Sequence, residues 1–307
     1  MVIGGTWVNA RMGGGVSGKG RTAHAAREDD EEVVPVSGPT TGEEVGAPCW
    51  LSLNAHDLDA AERFYGAVLG WTFRRGGGER EYAIGQLGEV PVAGIAAVAA
   101  ELSVPVSWTA FFAVDDADTA VARIRERGGT VGVGPVAYPP QGRAALATDR
   151  EGAAFGVWQG RTESRWHIGE HSAPAWLELH TRDAFEAAVF YGEVLRWADE
   201  GPGRYEVSYE QDKVVLRREG EAVARLNSGP VESGSPRPQL RPRWLVRFRV
   251  PDPDAATAAV LAHGGSVVPG DDWGGVRGPE DEARRSVVVR DPDGALFTLE
   301  AMEDGKG

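Results

Sequence analysis

Apolar positions along this chain follow two rhythms that alternate from end to end. Trp50–Asn54 alternates with period two, which puts Leu51 and Leu53 on one face of a strand and Trp50, Ser52 and Asn54 on the other. The period then lengthens. Asp57 can cap a helix on which Leu58, Ala61, Phe64/Tyr65 and Val68/Leu69 share one side, and Gly70 ends it. Strands are predicted at 71–75, 80–86 and 91–98. A second pass opens with a strand over Trp108–Val114, whose Ala110, Phe112 and Val114 go to the helix side and whose Thr109, Phe111 and Ala113 go to the other. A helix from Asp116 to about Arg127 stops at Gly128-Gly129. Strands follow near 130–136, 143–148 and 153–158, the last two joined by the turn Asp149-Arg150-Glu151-Gly152.

The whole pattern is then repeated. Pro48-Cys49-Trp50-Leu51-Ser52-Leu53-Asn54-Ala55-His56-Asp57, leading to Phe64-Tyr65-Gly66-Ala67-Val68-Leu69-Gly70-Trp71, returns without a gap. Its second copy is Pro174-Ala175-Trp176-Leu177-Glu178-Leu179-His180-Thr181-Arg182-Asp183, leading to Phe190-Tyr191-Gly192-Glu193-Val194-Leu195-Arg196-Trp197. The later half of this copy has a strand over Trp244–Val250, a helix from Asp252 to His263, and Gly264-Gly265. It ends with Ser286–Arg290, the turn Asp291-Pro292-Asp293-Gly294 and Ala295–Glu300. The division is a first domain over 47–160, a linker over 161–172 and a second domain over 173–302. Asn227–Pro242, rich in Pro and Ser, reads as a loop between the halves of the second domain. Residues 1–46 lack an apolar period, carry the run Glu28-Asp29-Asp30-Glu31-Glu32 and read as a disordered leader. Within them Gly13-Gly14-Gly15-Val16-Ser17-Gly18-Lys19-Gly20 approaches a phosphate-binding loop. Gly20 stands where a hydroxyl must hold magnesium, and no strand or helix flanks it, so it is set aside.

Composition narrows the partners. A net charge of −14 and a pI near 5.0 argue against nucleic acid and anionic membranes, both of which need basic patches. A single cysteine, Cys49, excludes an intrachain disulfide and suits a reducing cytoplasm. No apolar run is long enough to span a bilayer or resembles a signal peptide. A cytoplasmic monomer or homodimer with a small-molecule partner is expected.

Four βαβββ units, Phe-Tyr on each first helix, the Val-Leu-x-Trp exit, Gly-Gly after each second helix and the Asp-x-x-Gly turn resemble the vicinal-oxygen-chelate superfamily. That group includes glyoxalase, bleomycin-resistance proteins and extradiol dioxygenases, and the likeness is nearest to tandem two-domain glyoxalase-like proteins of actinobacteria. The resemblance implies an α+β fold in which paired units form one cupped sheet around a cavity in each domain. It also implies a divalent metal held by His, Gln or Glu on the first strands and Glu on the last strands. Those positions fall on Trp50, Trp176, Thr109, Leu245, Gly156 and Thr298. None carries an imidazole or carboxylate, whereas a divalent metal wants three or four such ligands converging. No cofactor and no metal is therefore expected in either cavity.

Alternation supplies the candidates. In the first cavity Trp50, Ser52, Asn54, Thr109, Phe111 and Trp158 are expected to hold a flat organic ligand by stacking. The second should display Trp176, Glu178, His180, Arg247, Arg249, Thr298 and Glu300. There His180 and Glu178 are candidate acid–base partners, and the arginines could grip a carboxylate, phenolate or enolate. A plain ion-pair groove accounts for the same residues. His167 and His171 are a two-histidine pair short of a metal's needs, His56 reads as a surface residue, and His263 suits a helix C-terminus. Three functions remain open: a metal-independent binding protein for an aromatic metabolite or drug, a metal-independent isomerase, cyclase or lyase, and a metal-dependent lyase or dioxygenase.

Overall fold

The computed structural model describes residues 45–76, 82–102, 105–163, 166–169, 173–197, 199, 205–210, 213–228, 242–268 and 286–302. The leader through residue 44, the phosphate-loop-like segment, His171 and loop residues 229–241 lie outside the described residues. The first domain runs β1 (Pro48–Asn54), α1 (Leu58–Leu69), β2 (Thr72–Arg75), β3 (Tyr82–Leu87) and β4 (Val90–Ala96). A short α2 (Ala99–Leu102) leads to β5 (Ser107–Ala113), α3 (Ala117–Glu126), β6 (Thr130–Tyr138), β7 (Gly142–Thr148) and β8 (Ala154–Gly160). The second domain follows as β9 (Ala175–Thr181), α4 (Ala184–Leu195), β10 (Glu206–Glu210), β11 (Lys213–Arg218) and β12 (Glu221–Ser228). It is completed by β13 (Arg243–Val250), α5 (Pro253–Ala262), β14 (Ser266–Val267), β15 (Val287–Arg290) and β16 (Leu296–Ala301). Asn227 and Ser228, expected in a loop, belong to β12.

Each main helix starts on an aspartate. Asp57, Asp116, Asp183 and Asp252 have extended backbones, and their carboxylates accept from amides of the first turn. In each unit the helix carries the chain across the sheet, so the first strand pairs parallel with the last: β1 with β4 and β5 with β8. The first strands β1 and β5 then pair antiparallel and fuse two units into one sheet. The order β2-β3-β4-β1-β5-β8-β7-β6 recurs in the second domain as β10-β11-β12-β9-β13-β16-β15-β14.

The two sheets share one core. α1 packs on α5, α3 on α4, and β13 approaches β5, so the helix-bearing faces of the domains meet. The repeat's signature residues make this joint, and they make it reciprocally. Tyr65 donates to Asp291 at 2.8 Å and Tyr191 to Asp149 at 3.1 Å, each crossing to the turn before the other domain's last strand. Trp108 and Trp244 donate to those two hydroxyls at 3.1 and 2.9 Å. Trp71 and Trp197 stack on Tyr65 and Tyr191 at 5.9 and 5.6 Å. Trp197 also donates to the carbonyl of Gly46 at 2.9 Å, which ties that residue to the second domain. The opposite face of each sheet, its cup, is turned away from the neighbouring domain.

Candidate functional site

The cups have opposite chemistry on the same scaffold. In the first, Trp50, Phe111 and Trp158 reach the predicted face, where they join Tyr82, Ile84, Val98 and Tyr138 in a closed apolar cluster. Large rings sit over small residues. A Cβ at Gly156 would lie 2.2 Å from the Phe111 ring, and one at Gly94 would lie 2.3 Å from the Tyr82 hydroxyl. Gly156 therefore has no room for the glutamate that the fold's metal pattern would place there. Trp166 of the linker lies 6.2 Å from Trp50 and donates to the carbonyl of Val92 at 2.6 Å. Trp50 and Trp158, expected to stack on a ligand, are fully buried, with Trp166 beside the first and Tyr138 beside the second. Thr109 is buried as well, while Ser52 and Asn54 are half-buried on the same face.

The second cup keeps Trp176 at the counterpart of Trp50, has an apolar patch of Leu245 and Leu296 with Val268 and Val288, and carries a cluster of charges where the first cup has none. Strand registers give the correspondence. Glu178 replaces Ser52, Arg247 replaces Phe111, Arg249 replaces Ala113, and Glu300 replaces Trp158. Arg247 lies at the centre. Its Nε donates to Glu300 Oε2 at 2.8 Å and its Nη1 to Glu178 Oε2, while the guanidinium lies 4.9 Å from the Trp176 ring centroid. Trp176 Nε1 donates to the same Glu300 oxygen at 3.2 Å. Glu178 Oε1 accepts from Asn227 Nδ2 and lies 3.3 Å from His180 Nε2. Burial alone would raise the pKa of Glu178, but the charges of Arg247 and His180 overcome it and hold the carboxyl below the usual carboxylate range. An ionised Glu178 is an acceptor facing the His180 ring.

Arg247 is engaged by two carboxylates, and Arg249 Nη1 donates to the carbonyls of Gly169, at 2.8 Å, and Ala173, which tie the linker into the cup. Sequence reasoning missed Arg225, whose guanidinium lies 5.0 Å from the Trp176 centroid, along with Asn227 and Arg243. Their signal was the register itself: Arg225 lies beside Glu178, and Arg243 and Asn227 flank His180. Buried Thr298, beside Arg247 on β16, has a hydroxyl without a hydrogen-bond partner among the described residues.

The donors do not suit a divalent metal. Trp176, Leu245 and Thr298 occupy the expected ligand positions, and a guanidinium already bridges the two nearby carboxylates. Elsewhere an open groove of about 560 Å³ lies among Asp115, Pro139, Gln141, Arg143, Gln159 and Arg161. Its Arg143 is paired with Asp118. His56 is exposed and meets Asp293 across the domain joint, and His263 Nδ1 lies 2.9 Å from the Ala259 carbonyl at its helix end.

Paired βαβββ units, duplicated, with one cup per domain, define the class. Residues 49–157 match the glyoxalase/bleomycin resistance protein/dioxygenase superfamily and residues 176–300 a glyoxalase-like domain. The chain belongs to this superfamily. CFP32 of Mycobacterium tuberculosis (strain CDC 1551 / Oshkosh), named only provisionally as a glyoxylase, is 31% identical over 270 residues, covering 83% of this chain and 94% of that protein. The anthracycline biosynthesis protein DnrV of Streptomyces peucetius is 29% identical over 287 residues, covering 85% and 94%. Among solved structures, the Mn(II)-bound glyoxalase of Novosphingobium aromaticivorans aligns with a TM-score of 0.50 at 17% identity, covering 85% of this chain and 83% of that one. Homoprotocatechuate 2,3-dioxygenase of Brevibacterium fuscum aligns at 0.51 and 15%, covering 89% and 83%. At such identities the likeness is one of fold.

Proposed function

We propose that the chain is a metal-independent binding protein for a small aromatic metabolite or drug, and that the second cup is its working site. One observation carries this reading: the protein contains its own control. The first cup fills the same sheet positions with aromatic and small residues and closes without charge. Replacing a buried ion pair with apolar groups of similar volume is often neutral or stabilising, so folding does not require Glu178, Arg247 and Glu300. Charges kept at that cost in one copy point to a use. The inner cup pairs Arg247 with Glu178 and Glu300, and Thr298 beside them keeps a buried hydroxyl without a partner among the described residues. A ligand hydroxyl or carbonyl could meet that Thr298 hydroxyl. The likeness to anthracycline biosynthesis proteins suggests planar hydroxylated aromatics, with anthracyclines as the first probes.

The test compares the natural protein with a variant that carries the first cup's residues, Glu178→Ser, Arg247→Phe and Glu300→Trp. Anthracyclines should raise the melting temperature of the natural protein and leave that of the variant unmoved, although the variant folds. Equal binding by both would remove the second cup from consideration. The His180–Glu178 pair beside the half-buried Asn227 favours a second reading, acid–base catalysis on the same ligand. It is distinguished by turnover that survives a chelator and is lost in His180→Ala.

A further inference from the structure

We propose that Arg247 is the resident cation of the second cup: its guanidinium supplies the counter-charge that two buried carboxylates need, and those carboxylates would themselves take up a cation in its absence. The proposal rests on the second cup as the working site, but its test needs no organic ligand.

Arg247 stands on β13, between the strands that carry its two partners, β9 with Glu178 and β16 with Glu300. One planar group therefore joins carboxylates from both neighbouring strands, through Nε on one side and Nη1 on the other. All three residues are buried, at 4% exposure for Arg247, 5% for Glu178 and 2% for Glu300, so water screens little of the charge. Two carboxylates at that depth require a counter-charge. A metal would supply it in the fold at large; in this chain the sheet supplies it covalently. The residues at the fold's ligand positions agree, since Trp176, Leu245 and Thr298 leave a metal no first ligands. The Thr298 hydroxyl, buried beside Arg247 and without a partner among the described residues, marks polar capacity that the protein itself does not use. In the first cup the three charges are absent together, at Ser52, Phe111 and Trp158. They behave as one set.

The experiment titrates Mn²⁺ and Zn²⁺ separately into the natural full chain, Arg247→Ala, Arg247→Lys, Glu300→Gln and the double variant Arg247→Ala/Glu300→Gln. Heat of binding and melting temperature are both read. The natural chain and Arg247→Lys should show no saturable uptake in the cup. Arg247→Ala should melt roughly 10 °C lower, as expected when one member of a buried ion cluster is removed. It should bind one equivalent of metal and recover most of the loss, with His180 as a further ligand beside Glu178. Adding Glu300→Gln should abolish the recovery. If Arg247→Ala proves insoluble, Arg247→Gln purified with and without Mn²⁺ replaces it, and failure of metal to improve its yield or stability counts against the proposal. One equivalent bound by the natural chain and lost in Glu300→Gln overturns it, as does a destabilised Arg247→Ala that no metal rescues. Failure of anthracyclines to bind would leave these outcomes unaffected, so the two readings fall separately.

Discussion

Glu178 is a carboxylate whose charge is maintained by its neighbours, and this makes its contribution to stability dependent on pH. Its folded pKa lies below the unfolded value of 4.5, so it stabilises the fold fully above that value and progressively less as pH falls through and below it. Glu178→Gln should therefore lower the urea midpoint clearly at pH 7, and the gap to the natural protein should narrow at about pH 3. A gap that is constant with pH would mean that the carboxylate is not ionised in the fold. The face of Glu178 was legible from the alternation of Trp176, Glu178 and His180 against Leu177 and Leu179. Its partners were not. Arg247 is remote in sequence, and only the antiparallel register of β9 with β13 brings it alongside.

The helices are the elements most fully written in the sequence, because their signals are local. An aspartate cap, an apolar stripe and a C-terminal stop all act within a few residues of one another. Gly70 shows the stop at work. It ends α1 in the left-handed region at φ 69°, donates to the Gly66 carbonyl, and has open space where a Cβ would stand. Gly70→Ala should thus cost about 1 kcal/mol through backbone conformation alone, measurable as a fall of about 2–4 °C in melting temperature. The second copy tolerates Arg196 at the same point, φ 63°, with its guanidinium tied to Asp115 and Asp199 at 2.6 Å. Strand ends were legible to within a residue or two. The paired edges depend on partners that periodicity does not name, which is why Asn227 and Ser228 were assigned to a loop although they continue β12.

At the scale of the molecule, the repeat is both a duplication and a joint. The helix period put Phe64 and Tyr65 on an apolar side and the repeat returned them as Phe190 and Tyr191, but neither says which domain's core they enter. Phe64 packs 6.3 Å from Phe297, and Phe112 packs 6.0 Å from Trp197, across the domain boundary. Burial raises the pKa of both Asp149 and Asp291, where each accepts the other domain's tyrosine hydroxyl. Residues 45–163 and 166–302 produced separately should each be insoluble or aggregate through the uncovered helix face, and should assemble when produced together. Two independently soluble, monomeric halves would show that the shared core is dispensable.

The sequence by itself determined the duplication, the four βαβββ units, their helix caps, the superfamily and the sorting of each strand's two faces. All of these depend on residue spacing, which the chain carries locally. Only the tertiary structure decided that the first cup is packed shut by its own rings, that the linker's Trp166 and Gly169 belong to the cups, and that Arg247 is held between Glu178 and Glu300. Those outcomes depend on which strands pair, in what register, and how much volume remains once the rings are in place. Alternation says which face a side chain takes; the neighbours across the sheet decide whether that face is open, filled or charged.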